Sequence, residues 1–307
     1  MGTTLGGIYD LMIEFREPRL EDKQWVRELL AYSEYNNSEY SFGLNYIWRR
    51  LLQKGIARHK DLFLAKSNLR GGAYLFPAGT GDWQEAIELY REDAKKNGIP
   101  LRLYSVTPEM AELLKTQYDG QFTYEPLRYA ADYVYRSTDL IELKGRKYHS
   151  KRNHISRFET NNPDWSYEDI TAQNLSECRD MFEKWLVENQ DKEGLEDEKL
   201  ALYDSFDHFE ELGFQGGLIR TGGQVVAFTI GEELTKDCFV LHFEKAFSHI
   251  QGAYPMINRE FAARRLSGYQ YINREEDMDI PGLRKSKMSY QPAMLVERGY
   301  ALFGDTL

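Results

Sequence analysis

The sequence predicts an α+β protein made of two similar halves, each a mixed, mostly antiparallel sheet with flanking helices. Three observations carry that prediction. Short runs such as residues 238–247 alternate apolar and polar side chains with the period of a strand. Longer runs such as 175–187 place apolar residues on one helical face. The same order then occurs twice along 307 residues: strand, two helices, several antiparallel strands, helix, strand, helix, strand.

The first half opens on a short alternating strand at Ile13 and Phe15. Residues 18–22 lead into a helix whose apolar face is Leu20, Val26, Leu29 and Leu30. A second helix is expected over 44–52, and strands follow at 61–66 and 72–76, the latter broken by Pro77 and Gly79. Asp82 is placed to cap a helix over 83–97, which Gly98 closes and Pro100 follows. A strand at 101–106, a helix at 108–115 with proline in its first turn and a strand at 129–135 complete this half.

The second half begins with a strand at 165–170 and a helix at 175–187, with Leu175, Cys178, Met181, Phe182, Trp185 and Leu186 on one side. A helix over 199–212 ends at Gly213. Strands at 216–220 and 225–234 form a hairpin around Gly222-Gly223. Then come the 238–247 strand, a helix over 254–266, a strand from Tyr269, a short helix over 283–289 and a strand pair over 293–303. The junction falls near 136–150, so the domains expected are 13–138 and 139–307, with residues 1–12 as a flexible leader.

Composition narrows the function classes. A net charge of −10 argues against a broad nucleic-acid-binding surface and leaves room for one local basic dock. Cys178 and Cys238 lie far apart without metal-like spacing, which reads as two reduced thiols in a cytoplasmic protein. No apolar run approaches the ~20 residues that cross a bilayer, and the first residues lack the basic and apolar regions of a signal peptide. No nucleophile elbow, Walker loop, zinc pattern or dinucleotide glycine fingerprint is present.

Two stretches stand out. Residues 269–290 run from an aromatic strand into Asn273, a charge cluster, Pro281-Gly282 and a basic helix. Crowding charges at a buried strand end is costly unless the end opens onto solvent or a polar ligand. Residues 144–157 hold Lys144, Arg146, Lys147, Lys151, Arg152 and Arg157 without one acid.

The order of elements resembles that of the GNAT acyltransferase fold. Within it, DLIELKGRKYHSKRNHI (139–155) and YINREEDMDIPGLRK (271–285) are similar to the C-terminal domain of phosphatidylglycerol lysyltransferases, a group related to the Fem-type aminoacyl transferases. The resemblance spans nearly the whole chain. It implies two tandem GNAT-like domains without a membrane segment, the active cleft lying in the second. It also implies an acyl- or aminoacyl-transferase that takes its group from aminoacyl-tRNA or acyl-CoA and passes it to an amine or hydroxyl. No cofactor is expected beyond that donor. The alternative is a tandem GNAT protein that has lost catalysis and binds a ligand or partner.

Candidate residues follow from the two kinds of reading together. On the 238–247 strand, Phe239, Leu241, Phe243 and Phe247 share a face that reads as core, and Val240, His242, Glu244 and Ala246 share the other. The matching strand of GNAT enzymes lines the cleft, so Glu244, with His242, is the candidate general base. The competing reading is that these polar side chains satisfy one another or pair across the sheet. Gln251, Gly252, Ala253 and Tyr254 stand where coenzyme A-dependent relatives hold pyrophosphate on backbone N–H groups, although the tyrosine is bulky there. Their competing reading is a tight helix start with Pro255 in its first turn.

By the same analogy Tyr290 is the candidate general acid, against a packing role with its hydroxyl bonded to backbone. Asn273, Arg274, Glu275, Glu276 and Asp277, with Arg284 and Lys285, are candidates for recognising an amine or aminoacyl group, or else a salt-bridge network that holds the loop. Lys147, Lys151, Arg152, His154 and Arg157 are candidates for the donor's phosphates, tRNA included, against a solvated basic helix. His149 and His154 have no cysteine or carboxylate clustered with them, so no metal site is expected.

Overall fold

A computed structural model describes residues 13–33, 35–190 and 194–304. The expected leader over 1–12 lies outside the described residues. Among the described residues the chain divides into two compact units: one takes 13–33, 49–126 and 298–304, the other the described residues of 35–48 and 127–297. The units therefore interleave, where the sequence suggested one junction near 136–150.

In chain order the helices are α1 (Lys23–Leu30), α2 (Phe42–Ile47), α3 (Trp83–Asn97), α4 (Pro108–Tyr118), α5 (Ser137–Glu142), α6 (His149–Asn161), α7 (Leu175–Glu188), α8 (Leu195–Asp207), α9 (Phe209–Leu212), α10 (Ala253–Arg265) and α11 (Pro281–Met288). The strands are β1 (Lys54–His59), β2 (Leu62–Ser67), β3 (Ala73–Leu75), β4 (Ala78–Gly79), β5 (Arg102–Val106), β6 (Phe122–Pro126) and β7 (Asp132–Arg136). They continue as β8 (Ser166–Asp169), β9 (Gln215–Thr221), β10 (Gln224–Thr235), β11 (Cys238–Ala246), β12 (Tyr271–Asn273), β13 (Met294–Val296) and β14 (Gly299–Phe303).

The first unit's sheet runs β1-β2-β3-β5-β14-β6, with β4 paired to β2. Its one parallel pair among the described residues, β3 with β5, is bridged by α3. That helix forms as its sequence dictates. The Asp82 carboxylate accepts from the Gln84 and Glu85 amides, and Gly98 closes the last turn at φ +65°. Ala86, Ile87, Leu89, Tyr90 and Ala94 form its buried face.

The second unit's sheet runs β13-β7-β12-β11-β10-β9-β8. It repeats the device: β11 and β12 are parallel and joined through α10. Their pairing covers only Cys238–Val240 against Tyr271–Asn273, and β11 then continues to Ala246 while the chain after β12 turns away at Arg274. Phe239 meets Phe261 of α10 edge-on at 5.8 Å, which packs the crossover helix on the sheet. The fold class read from the sequence, α+β with two GNAT-like units of mostly antiparallel mixed sheet, is the one observed.

Several elements differ in detail. Ile13 and Phe15 form no strand; an isolated bridge joins Arg16 to Ile56. The helix expected over 44–52 is α2 and stops at Ile47, where the chain passes from one unit to the other, and β1 follows. The helix expected over 199–212 is split at His208 into α8 and α9. Both faces of β11 are covered, so its alternation separates two buried environments rather than core from cleft.

A polar cluster in the second unit

Glu244 lies near the end of β11, past the last residue paired to β12. Its Oε1 accepts from Arg274 Nη2 at 2.8 Å and its Oε2 from Asn258 Nδ2 of α10 at 3.0 Å. The Arg274 guanidinium lies over two tyrosine rings, 4.8 Å from the centroid of Tyr290 and 5.7 Å from that of Tyr135 on β7. Lys151 of α6 reaches the same ring, its Nζ 3.8 Å from the Tyr290 centroid. Four separate segments thus meet β11 in one cluster: the turn after β12 and α10 bond Glu244 through Arg274 and Asn258, and α6 and the chain after α11 join through Lys151 and the Tyr290 ring that Arg274 covers.

The electrostatics follow from burial. Desolvation, then the positive charge of Arg274, pushes Lys151 down to about 8, against a smaller opposing pull from Glu244. Burial pushes the phenols of Tyr290 and Tyr135 well above the ordinary tyrosine value, so both are protonated at neutral pH. Two polar atoms of the cluster are buried without a hydrogen-bond partner, Arg274 Nη1 and Asn258 Oδ1. Buried polar atoms are nearly always satisfied, so an unpaired donor and an unpaired acceptor beside one carboxylate require an account.

His242, two residues before Glu244, is not joined to it. Its Nδ1 lies 2.7 Å from Glu275 Oε1 and its Nε2 3.0 Å from Glu232 Oε1, with the imidazole 1% exposed. The two carboxylates outweigh desolvation and raise it to about 9, so it is an imidazolium at neutral pH. Glu232 also accepts the Gly43 amide at 2.8 Å, and a Cβ on Gly43 would come within 2.3 Å of that oxygen. His242 ties β10, α2 and the turn after β12 together, with both ring nitrogens engaged.

Most of the charge cluster after β12 also holds the turn. Asn273 is fully buried, donating to Asn36 O and Asp132 Oδ2 and accepting from the Glu275 amide. Asp277 is fully buried too and accepts from Tyr133 Oη at 2.6 Å and Arg284 Nε at 2.8 Å. Arg284, ahead of the desolvation that opposes it, holds that carboxyl well below the usual carboxylate range. Lys287, absent from the sequence-based site, donates to the carbonyls of Arg274, Glu275 and Glu276. Lys285 is exposed. Of this cluster, Arg274 brings its side chain to Glu244.

The basic segment divides likewise. Arg152 donates to the carbonyls of Leu143 and Gly145, and Lys147 lies 3.8 Å from Asp139. Arg157 is exposed and His154 half-buried. Lys151 enters the cluster. Gly252 sits at φ +87°, and a Cβ there would lie 2.2 Å from the His154 carbonyl oxygen, so α6 packing accounts for this glycine. The Ala253 amide donates to Ile250 O, Gln251 is exposed, and burial pushes the Tyr254 phenol up. The 251–254 segment thus matches the helix-start reading more closely than a phosphate cradle.

Asn258 and Tyr135 were missed from sequence. Asn258 lies one helical turn after Tyr254 and could have been found by following that face of α10. Tyr135 sits among aromatics on a strand and carries no signal of its own.

Each unit is thus a mixed, mostly antiparallel sheet with one parallel β-α-β pair, and in the second a carboxylate–arginine–tyrosine cluster lies where that pair ends. The family model described as phosphatidylglycerol lysyltransferase, C-terminal, matches residues 30–302, so the chain belongs to that family. Among curated proteins, the uncharacterized protein MYCGA3080 of Mycoplasmoides gallisepticum is 22% identical over 194 residues, 61% of this chain. The chain spans 60% of that relative's length. The crystal structure of a conserved protein of unknown function from Bacteroides thetaiotaomicron VPI-5482 is 38% identical, with a TM-score of 0.92 over 95% of this chain and 100% of that one. The structure of L-PGS from Bacillus licheniformis is 16% identical, with a TM-score of 0.68 over 95% and 94% of the two chains, and shares the fold. No helix among the described residues is long and apolar enough to cross a membrane.

Proposed function

We propose that this protein moves an acyl or aminoacyl group from a phosphate-bearing donor to an amine or hydroxyl, at the cluster around Glu244. The observation that carries the proposal is one carboxylate bonded by Arg274 and Asn258, with the Tyr290 ring against Arg274 and Lys151, and a donor and an acceptor left unsatisfied there. An acceptor amine or hydroxyl attacks the activated carbonyl and Glu244 takes its proton. The carboxylate has about four lone-pair directions and spends two on Arg274 and Asn258, so acceptor capacity remains. Arg274 holds the carboxylate in place. Tyr290, protonated at neutral pH, is the proton source for the leaving oxygen or sulfur.

Aminoacyl-tRNA is the favoured donor over acyl-CoA, because packing against α6 explains Gly252 and the Ala253 amide is already used. The test is a set of melting curves with charged tRNA, uncharged tRNA, acetyl-CoA and free CoA. A bound donor at a hundred times its Kd stabilises by about 2.7 kcal/mol. For a chain of 307 residues that is a shift of roughly 4 °C. Charged tRNA should give the shift, and the shift should shrink steeply as salt rises. A shift with acetyl-CoA alone overturns the choice of donor. The second reading, a binding module without turnover, draws its support from the double engagement of Glu244. It predicts a shift with ligand and no transfer.

A further inference from the structure

The geometry points to Lys151 and Arg274 as a subsite for a small oxyanion, seated on the Tyr290 ring beside Glu244. Both cations lie against the Tyr290 ring, Lys151 Nζ at 3.8 Å and the Arg274 guanidinium carbon at 4.8 Å from its centroid, and the charge of Arg274 is felt at Lys151. Arg274 Nη2 is spent on Glu244, while Nη1 is buried and makes no well-formed hydrogen bond, the guanidinium having the Tyr290 hydroxyl as a further polar neighbour. Among the described residues, Lys151 Nζ has no ion pair or hydrogen bond, and its side chain is half-buried rather than fully enclosed. Two positive charges against one carboxylate leave a positive charge uncompensated in a desolvated place, which folded proteins tolerate poorly unless a partner arrives. An oxyanion supplies both missing acceptors, taking one hydrogen bond from each cation.

Other parts of the basic segment do not compete for this role. Arg152 is committed to backbone carbonyls and Lys147 lies near Asp139. The inference deepens the transfer reading and rests on it for its meaning: the oxyanion is a phosphoryl group of the donor or a carboxylate of the acceptor, held next to the reacting centre. The groups that face Lys151 are Glu244 of β11, Arg274 after β12 and Tyr290 after α11. With burial, the Arg274 charge lowers Lys151 to about 8, so an anion that binds here draws a proton onto the amine as pH rises through that value.

The test is thermal melting in sodium sulfate or sodium acetate against sodium chloride at matched ionic strength. The native chain, Lys151→Met and Lys151→Arg are compared at pH 7 and pH 9.5. The expected result is a gain in Tm for the native chain that Lys151→Arg keeps at both pH values and Lys151→Met loses. The native gain should be markedly smaller at pH 9.5, and apparent affinity should fall at least tenfold in Lys151→Met. Sulfate alone giving the gain assigns a phosphoryl source, and acetate alone a carboxylate source. Equal gains in the native chain and Lys151→Met, or none with either anion, overturn the subsite. Because the readout is binding, a Lys151-dependent gain without any transfer sinks the transfer reading and leaves the subsite standing. Transfer without such a gain does the reverse.

Discussion

His242 offers a sharp test of the electrostatics that surround the cluster. Replacing it with glutamine removes the cation held between Glu232 and Glu275 at 3.0 and 2.7 Å. Raising the imidazole from 6.5 to about 9 corresponds to about 3 kcal/mol in favour of the folded, charged form. That contribution is whole below pH 6.5, where folded and unfolded chains both hold the proton. It is lost as pH rises through about 9, where the folded imidazole releases it. Lys151 acts in the opposite sense, since an amine lowered from 10.5 to about 8 gains stability as pH rises across that interval. Taking the difference between native chain and His242→Gln isolates the imidazole, because Lys151 is present in both proteins. The assay is urea unfolding of both proteins from pH 6 to pH 10. The gap between them should be largest near pH 6 and narrow by about 3 kcal/mol by pH 10. A gap that stays constant, or widens with pH, refutes the assignment of His242 as a buried imidazolium.

Gly252→Ala should destabilise by about 2–4 kcal/mol, since the new Cβ meets the His154 carbonyl at 2.2 Å and the residue sits at φ +87°. An unchanged Tm contradicts the packing account of this glycine. Asp277→Asn should cost about 2 kcal/mol near neutral pH, a figure reduced because Arg284 is partly exposed. The Asp277 carboxyl is held below its ordinary 3.8, so its contribution is present above that pH and lost as pH falls through the folded value. Acid unfolding of the two proteins should therefore converge at low pH, and a gap that persists there contradicts the assignment.

Much of the fold was legible because local chemistry and tertiary context agree. Asp82 and Gly98 bracket α3 as capping rules require, and the Gly222-Gly223 hairpin joins β9 to β10 as its spacing demands. The elements that were misread depend on contacts distant in sequence. β1 and β6 carry Lys54, Arg58 and Glu125 among few apolar residues, and pairing with β2 and β14 makes them strands. The interleaving of units was hidden for the same reason: β7 is completed by β12 and β13, and β14 by β5 and β6.

The candidate site was legible in part. Glu244, Arg274, Tyr290 and Lys151 were each singled out, yet for four different suggested roles, and the structure gathers them into one cluster. Sequence could not separate Arg274 from its neighbours Glu275 and Asp277, because all three are charged residues in one turn. Their partners divide them: Glu275 turns to His242, Asp277 to Tyr133 and Arg284, and Arg274 to Glu244. Nor could it tell that Arg152 serves the backbone while Lys151, its neighbour on the helix, reaches the Tyr290 ring.

The most direct test of the transfer reading is a single-turnover measurement of aminoacyl loss from charged tRNA in the presence of an amine acceptor, for the native chain and Glu244→Gln. Glutamine keeps the side chain's shape and one acceptor oxygen for Arg274, and removes the proton acceptor. The account predicts a rate lower by roughly two to four orders of magnitude in Glu244→Gln, with the Tm within a few degrees of native. Equal rates in the two proteins, or no acceptor-dependent loss in either, contradict it.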